Sequence, residues 1–402
     1  MSFKTCDFLV VGAGVIGISV ARELVSRYPD AKIIVIDKEL SEAEHASGRN
    51  SGVLHAGFYY TEDSLKAKFT RDGNLALTEY CDQNNLPIRK CGKLVVAKTE
   101  HEVTVLDTLM ERAVKNNVKL EKITEEDARE IEPKVKTKGF ALYSPTTSSV
   151  DPKSVVKQMK RDAIASGVEF HFGVSYIRQK LGRVETNNGF FSVQYLVNCA
   201  GLYADKIAQD YGFSENYYVL PFKGLYLYAN HSKSSLSTHI YPVPNLDNPF
   251  LGVHFTASVD GAIKVGPTAI PAFWREQYNG FDNFTFSEFG ELVYHQLALV
   301  AKSGFGFNRL AYNEIKKYYK PNMIQQASEL ARGFDRESFK NWAQPGIRAQ
   351  LVNRKNHKLV MDFLIEGDDR SMHILNAVSP AFTCSIPFSK FVVDRIASNL
   401  RG

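Results

Sequence analysis

The sequence predicts an α/β protein with more than one domain. Its first 40 residues hold two short apolar runs, with a glycine-rich turn and a helical pattern between them. The rest of the chain alternates between helical and strand-like patterns, which is typical of helices that cover a sheet. With 402 residues and roughly 150 residues per domain, we expect about two to three domains.

The N-terminal unit reads as strand, turn, helix and strand. Residues 8–11 form an apolar run, a helical pattern then continues to about residue 27, and residues 32–36 form a β-branched run. Both strands and the helix between them are needed before a glycine turn indicates a nucleotide site. This context favours a dinucleotide site over a glycine turn without a ligand.

The glycines of that turn have separate roles. Gly12 makes the tight turn, Gly14 lets the backbone approach a pyrophosphate, and Gly17 lets helix and strand pack closely. The free N–H groups at the helix N-terminus favour the pyrophosphate. Asp37 ends the second strand, where it can accept hydrogen bonds from an adenosine ribose. The spacing alone leaves both NAD(P) and FAD open.

Two other nucleotide sites are excluded. Ile18 stands where a phosphate-binding loop of a nucleotide triphosphatase needs lysine. A second glycine pair, Gly304 and Gly306, has Arg309 in place of the third glycine. The sequence therefore predicts one dinucleotide site.

The remaining elements follow from hydrophobic periodicity. Helical patterns cover residues 65–84, 101–116, 125–132, 152–166 and most of 281–340. Strand-like runs cover residues 93–97, 169–172, 190–198, 225–228, 250–255, 262–265, 358–365 and 373–376. No flexible linker separates them, so we expect interleaved domains between which the chain crosses several times.

Composition narrows the class of protein. The 49 Lys+Arg against 44 Asp+Glu leave a charge of +5, which suits an anionic substrate or a weak contact with anionic lipid but is too small to indicate nucleic acid. Five scattered cysteines without a zinc-type cluster indicate reduced thiols in a cytoplasmic compartment and no metal site. No apolar stretch is long enough to span a membrane, so we expect a soluble or peripheral protein.

Several long sequence words carry a specific resemblance. They are NSGVLHAGFYY (50–60), CGKLVVA (91–97), VNCAGLYAD (197–205), IYPVP (240–244), PFLGVHFT (249–256), PGIRAQ (345–350) and NAVSPA (376–381). In these words the chain resembles the L-2-hydroxyglutarate dehydrogenase/oxidase branch of the D-amino-acid-oxidase-like FAD-dependent oxidoreductases. The resemblance runs nearly end to end and implies FAD rather than NAD(P).

The resemblance also implies an architecture. A Rossmann-like FAD-binding domain would be built from the discontinuous segments 1–90, 145–220 and 341–402. An α+β substrate domain with a mixed sheet would use 91–144 and 221–340. The implied cofactor-binding residues are Gly12, Gly14, Gly17, Asp37, Lys38, Arg49, Asn50, Ser51, Val174, Cys199, Ala200, Gly201, Ser379, Pro380 and Ala381. Arg49 and Leu225 depart from the family pattern, which usually has His and an acid there.

Two histidines are candidates for the catalytic base. His254 lies in an apolar run, where a lone histidine is usually a core residue, but the resemblance supports a catalytic or substrate contact. His55 lies between glycine-flanked turns beside the expected flavin and is either a base or a hydrogen-bonding support of its loop. Imidazole is the usual base near neutral pH.

Cationic residues are candidates for binding carboxylates. Arg348 matches the position where related oxidases bind the substrate carboxylate, and a guanidinium can do so through two parallel hydrogen bonds; the alternative is a surface salt bridge. Lys223, Lys66 and Tyr241 are weaker candidates for a second carboxylate. The basic, aromatic run at 302–320 is either a solvated helix face or a peripheral contact with the inner face of a membrane.

These features together predict an enzyme. A hydride would pass from C2 of L-2-hydroxyglutarate, or of a close relative, to the flavin while His254 or His55 takes the hydroxyl proton, and the product would be 2-oxoglutarate. Quinone or oxygen would accept the electrons. An amine or amino-acid oxidase of the same fold is the main alternative, and a flavin-binding module without turnover is another.

Overall fold

The computed structural model of the protein describes residues 3–229, 236–246, 252–302 and 307–401. Its helices are α1 (Val15–Arg27), α2 (Leu65–Gln83), α3 (Glu100–Lys115), α4 (Glu125–Ile131), α5 (Pro152–Ala165), α6 (Ala204–Asp210), α7 (Phe286–Lys302), α8 (Phe307–Lys317), α9 (Lys320–Ser328) and α10 (Ala381–Arg401). Its strands are β1 (Phe3–Val11), β2 (Ile33–Asp37), β3 (Val53–Leu54), β4 (Ile88–Arg89), β5 (Lys93–Val96), β6 (Glu121–Thr124), β7 (Phe140–Ser144), β8 (Ser148–Val150), β9 (Glu169–Phe172), β10 (Tyr176–Lys180), β11 (Arg183–Thr186), β12 (Gly189–Asn198), β13 (Tyr217–Gly224), β14 (Leu227–Ala229), β15 (His239–Pro242), β16 (His254–Ala257), β17 (Ile263–Gly266), β18 (Ile270–Pro271), β19 (Asn341–Trp342), β20 (Gly346–Asn353), β21 (Leu364–Gly367) and β22 (Ser371–Asn376).

The first large sheet is centred on the parallel strands β12, β1 and β2. Its order is β10-β11-β12-β1-β2-β9, and β22 lies parallel to the end of β12. Val11 is in register with both Ile36 and Asn198, so these three strands end at one edge. Val10 packs into the core under the helices, whereas Leu9 packs into the core on the other face. A strand buried on both faces reads as a continuous apolar run, and the shared carboxyl edge is where such sheets bind ligands.

The second large sheet is mixed and has one apolar face. Its order is β19-β14-β17-β16-β15-β5-β7-β6, with β5 and β15 parallel. Ile240 is paired with both Leu94 and Phe255, and directly paired residues share a face. All three lie in a buried core with residues of α9. This face of the sheet is therefore closed by helices.

Part of the opposite face of the second sheet is polar, although Val95 and Leu142 of the same face lie in an apolar core with residues of α3. Lys93, Tyr241 and His254 each neighbour one of the three apolar residues in sequence, and successive strand residues point to opposite faces. All three are nonetheless buried. We name the part of this face around Lys93, Tyr241 and His254 the polar face; it is buried although it carries charged and aromatic polar groups.

A small sheet of β18, β13 and β20 lies beside the two large sheets. β13 and β20 pair along their whole lengths, from Tyr217 with Asn353 to Gly224 with Gly346. Neither strand was among the sequence predictions. The predicted strand at 225–228 is wrong in its first half, because β13 ends before it and the Leu225 backbone N–H donates instead to the Thr268 side chain.

Two other predictions need correction. The predicted strand at 358–365 begins only at Leu364 in the structure. Before it, a backbone carbonyl bonds a side chain instead of another strand: Asn376 Nδ2 donates to the Asp362 carbonyl oxygen at 2.6 Å. The carboxylate of Asp362 in turn accepts the N–H groups of Leu65 and Lys66 at the start of α2. The predicted strand at 250–255 begins at His254 in the structure, and its first residues lie outside the described part.

The helix α10 was not predicted, because Pro387 interrupts its pattern. It packs against α1 and α2 in the largest core of the described residues. Across the described ranges, no helix is both long and apolar enough to cross a membrane.

Candidate active site

A cavity of about 650 Å³ lies at the carboxyl edge of the first sheet. Sixteen of the predicted site residues line it: Gly12, Gly14, Asp37, Lys38, Arg49, Asn50, Ser51, His55, Val174, Cys199, Ala200, Gly201, Arg348, Ser379, Pro380 and Ala381. Five do not: Gly17, Lys66, Lys223, Tyr241 and His254. The structure therefore brings together segments from both ends of the chain, as a cofactor site requires.

The glycine turn exposes bare backbone to this cavity. Gly12 has a φ of +111°, and a Cβ there would lie 2.5 Å from the carbonyl oxygen of Cys199. A Cβ on Gly17 would lie 1.9 Å from the carbonyl oxygen of Gly12, so Gly17 supports the turn from behind. At Gly14, a Cβ would lie 2.9 Å from Ser47 Oγ. Side chains are thus excluded from the surface that a pyrophosphate needs.

Asp37 is tied to that turn. Its Oδ2 accepts the backbone N–H of Ala13 at 2.6 Å, and its Oδ1 accepts that of Glu39 at 2.9 Å. Burial raises the pKa of this carboxyl, although both hydrogen bonds oppose the shift. The carboxylate therefore holds the turn and borders the cavity with the same atoms.

The neighbouring Lys38 belongs to a compact charged cluster. Its Nζ lies 2.7 Å from Glu276 and also bonds Glu39. Both ring nitrogens of His45 form hydrogen bonds: Nε2 lies 2.9 Å from Glu39 Oε1, and Nδ1 lies 2.8 Å from the Tyr278 hydroxyl. Glu39, His45 and Glu276 could in principle ligate a metal, but protein partners already bind these groups.

The loop that carries Arg49 and Ser51 is braced on both sides. Arg49 Nε donates to the carbonyl oxygen of Glu44 at 2.6 Å, and its guanidinium lies 4.3 Å from the centre of the Tyr278 ring. The side chain of Ser51 hydrogen bonds Tyr226, which also lines the cavity. This loop is therefore a preformed wall of the cavity.

Arg348 reaches the cavity from β20. It is paired directly with Phe222 and so shares its face of the small sheet, whereas Lys223 points to the other face. Arg348 Nη1 lies 3.4 Å from the carbonyl oxygen of Thr268. Because side chains alternate along β13, Lys223 and Arg348 lie on opposite faces of the small sheet. The assignment of Lys223 to the substrate site stays a prediction that this geometry does not favour.

His254 lies on the polar face, behind the cavity wall. Its ring stacks on Tyr241, with centroids 3.7 Å apart, and meets the Tyr226 ring edge to face at 6.3 Å. Nδ1 is 2.8 Å from the Gly252 carbonyl oxygen; because a carbonyl only accepts, Nδ1 carries the hydrogen and Nε2 the lone pair. Burial lowers the pKa of His254 to about 3, so the ring is neutral.

His55 lines the cavity and has a similar charge state. Its backbone N–H donates to Thr383 Oγ1 at 3.2 Å, which joins this loop to α10. Burial lowers the pKa of His55 well below its ordinary value, and the nearby charge of Lys93 lowers it further. A neutral imidazole that faces the cavity can accept a proton there.

Lys66 lies away from the cavity lining. Its Nζ is 5.9 Å from the rings of Tyr60 and Phe363. Burial lowers its pKa to about 8, while the carboxylate of Asp362 acts in the opposite direction. The assignment of Lys66 to the substrate site stays a prediction.

Sequence reasoning missed Tyr226, which lines the cavity, and did not single out the buried Lys93. Lys93 is the one polar residue in the apolar word that forms β5, and a charged residue inside a buried strand is itself a signal of function. Tyr226 lies in the irregular turn between β13 and β14, where periodicity gives no signal.

The fold and the cavity define a flavin-dependent enzyme. The sequence matches the family described as FAD dependent oxidoreductase over residues 7–395, so the chain belongs to that family. Its cofactor is accordingly FAD, and the glycine cradle and large cavity fit that group.

Curated relatives of similar length share one name. The chain is 33% identical to L-2-hydroxyglutarate dehydrogenase of Escherichia coli (strain K12) over 98% of this chain and 94% of that protein. It is 34% identical to the mitochondrial L-2-hydroxyglutarate dehydrogenase of Homo sapiens, over 98% and 89%. Among solved structures, the reduced, FAD-bound L-α-glycerophosphate oxidase of Mycoplasma pneumoniae has a TM-score of 0.77 at 22% identity, over 98% and 95%. That last likeness concerns the fold.

Proposed function

We propose that this enzyme oxidises L-2-hydroxyglutarate, or a closely related 2-hydroxy acid, to 2-oxoglutarate. The observation that carries the proposal is the shared name of relatives that match nearly the whole chain at 33% and 34% identity. Arg348 at the cavity supports it, because a guanidinium suits the carboxylate next to the reacting carbon.

The domain division follows from the cofactor site. We propose that 1–90, 145–220 and 341–402 bind FAD, since most of the residues that line the cavity come from these segments. Segments 91–144 and 221–340 would form the substrate domain and contribute the polar face of the second sheet.

The reaction divides between cofactor and protein. When bound, FAD supplies the hydride acceptor for C2 of the substrate. Arg348 holds the carboxylate attached to that carbon and so fixes its orientation. His55 takes the hydroxyl proton, because it lines the cavity and burial keeps it neutral. His254 lies one layer behind and supports this wall.

Anaerobic mixing tests the substrate class. We expect L-2-hydroxyglutarate to bleach the flavin of the purified enzyme, and L-glutamate and D-2-hydroxyglutarate not to do so. Bleaching by L-glutamate instead would assign the protein to the amino-acid oxidases, and an unchanged spectrum with all three would remove the proposed function.

We further propose a peripheral membrane contact through the basic, aromatic run at 302–320, with quinone or oxygen as electron acceptor. Tyr312 and Ile315 of α8 are 59% and 58% exposed, and Tyr318 and Tyr319 are also exposed. Lys316 lies in the last turn of α8. Exposed aromatic groups beside lysines are typical of proteins that bind anionic lipid surfaces.

Vesicle sedimentation tests this contact. We expect binding to vesicles that contain anionic lipid, and loss of binding in the double variant Tyr312→Ser/Ile315→Ser. Leu181→Ser is the matched control, because Leu181 is 89% exposed in a hairpin of the first sheet. Equal binding by all three proteins would contradict the proposal. Turnover with oxygen and with a soluble quinone analogue identifies the acceptor.

A further inference from the structure

Lys93 is a buried cation without a polar partner. Its side chain is 0% exposed, and its Nζ has no hydrogen-bond partner among the described residues. Three aromatic rings surround the amine: those of Phe58 and Tyr59 at 4.6 Å and that of Tyr241 at 5.1 Å. The hydroxyl of Tyr59 is also buried without a partner. Buried ammonium groups are costly unless they are paired, so this site calls for an anion.

Other buried or half-buried lysines have acids nearby, and Lys93 does not. Burial alone accounts for its lowered pKa, with no contribution from any carboxylate. For each comparable lysine, a nearby carboxylate opposes the lowering of the pKa by burial. These pairs are Lys66 with Asp362, Lys223 with Asp282, and Lys264 with Asp260. Of the four lysines Lys66, Lys93, Lys223 and Lys264, Lys93 is therefore the one without a carboxylate nearby in the described part of the chain.

The position of Lys93 relates it to the proposed active site. Lys93 Nζ lies 5.1 Å from the centre of the Tyr241 ring, and that ring stacks on His254. The charges of Lys93, Arg348 and Lys317 each lower the pKa of His254. The charge of Lys93 also lowers the pKa of His55, which lines the cavity. Lys93 and Arg348 thus lie around one small region that adjoins the cavity.

We propose that Lys93 binds the second carboxylate of the substrate, the one remote from the reacting carbon, while Arg348 binds the first. The inference rests on the proposed function, and it replaces Lys66 and Lys223 in the role of the remote anchor. Because Lys93 does not line the cavity in this structure, side chains between the cavity and Lys93 must shift when a dicarboxylate binds. Such side-chain changes are common on binding.

Ligand titration of the FAD-loaded enzyme tests this assignment. Glutarate carries both carboxylates, whereas pentanoate has a methyl group at the far end, and flavin absorbance reports the binding of either. We expect Lys93→Met to weaken glutarate by about 10- to 100-fold, the usual effect of one charge-assisted contact, and to leave pentanoate unchanged or tighter. Lys264→Met is the matched control, because Lys264 lies on the same sheet and has Asp260 nearby; it should leave the glutarate-to-pentanoate ratio unchanged.

The possible outcomes separate the two proposals. An unchanged ratio in Lys93→Met, or a changed ratio in Lys66→Met or Lys223→Met instead, overturns the role of Lys93. A changed ratio in Lys93→Met with no flavin reduction of the wild type by L-2-hydroxyglutarate supports a dicarboxylate site but overturns the proposed substrate.

Stability measurements separate binding from a structural role. Because an unpaired buried charge is removed, ligand-free Lys93→Met should unfold at a temperature no lower than that of the wild type. Lys93→Gln is a second variant that keeps polarity without charge and should lose glutarate selectivity in the same way. A lower unfolding temperature with intact selectivity in both variants would show that Lys93 supports the fold instead.

Discussion

Asp205 and Arg275 form a bidentate ion pair in the protein interior. Nη1 lies 2.8 Å from Oδ1 and Nη2 lies 3.0 Å from Oδ2, and the side chains are 0% and 1% exposed. Asp205 also accepts the backbone N–H of Val219 in β13. The pair therefore ties α6 to the small sheet and to the segment before α7.

Arg275→Met should destabilise the protein by about 3–5 kcal/mol, because it leaves the Asp205 carboxylate buried without its charge partner. Denaturant unfolding of the FAD-free protein measures this loss. Arg178→Met removes an exposed pair with Glu185 and should leave stability nearly unchanged. Equal losses in the two variants would contradict the prediction.

Asp37→Ala should weaken FAD binding by about 1.5–3 kcal/mol, since it removes charge-assisted hydrogen bonds at the cavity edge. Fluorescence titration of the FAD-free protein with FAD measures the effect. Asp37→Asn keeps one acceptor oxygen for Ala13 N–H, so its loss should be smaller. Binding of wild-type strength in Asp37→Ala would remove this residue from the cofactor site.

Arg348→Lys should lower both the rate of flavin reduction and the affinity for substrate. Lysine cannot form the bidentate pair, so the carboxylate next to C2 would be held less well and the reacting carbon would be misaligned. Rapid mixing under anaerobic conditions separates the two effects. A wild-type rate at saturating substrate would show that Arg348 does not orient it.

His55→Gln should slow flavin reduction by about 10²- to 10⁴-fold, the usual contribution of a general base. His254→Gln should have a smaller effect, because His254 does not line the cavity. Single-turnover rates compare the two variants directly. The reverse order of effects would make His254 the base.

Dicarboxylate binding should weaken as the pH rises above about 7. Burial lowers the pKa of Lys93 to about 7, so in the ligand-free enzyme its ammonium group loses a proton above that pH. A bound carboxylate favours the ammonium form, and binding then requires proton uptake. The dissociation constant of glutarate should rise by up to about tenfold per pH unit, and it should be flat in Lys93→Met.

Other ionisable groups near Lys93 do not mimic this pH dependence. Burial keeps the nearby histidines neutral above pH 7 and raises the pKa of the nearby tyrosines; these groups are His55, His239, His254, Tyr59 and Tyr241. A slope that persists in Lys93→Met would therefore contradict the assignment.

The fold was predictable where local patterns are strong. The turn at Gly12 to Gly17 and the helix that ends at Arg27 occur as the sequence indicated, because tight packing and capping act within a few residues. Strands β13 and β20 were missed because their pairing is non-local: Tyr217 pairs with Asn353, which lies about a third of the chain further on. Periodicity does not report such partners.

The candidate site was predictable to a similar degree. Motif words located the residues that border the cavity, including Arg348 and Ser379. They did not distinguish which lysine lacks an acid beside it, since that depends on the distances between Lys93 and carboxylates from other strands. Resemblance also did not indicate that His254 stacks behind the cavity wall.

The pairing of β22 with β12 and the packing of α10 against α1 have a consequence for how the chain folds during translation. The strand and helix that complete the sheet of the glycine turn and cover α1 are translated hundreds of residues after that turn. During that interval the apolar side of α1, including Leu24, has no partner from α10. We therefore expect the nascent chain to need protection from aggregation until α10 emerges, and FAD uptake to await the residues at the start of α10 that line the cavity, such as Ala381.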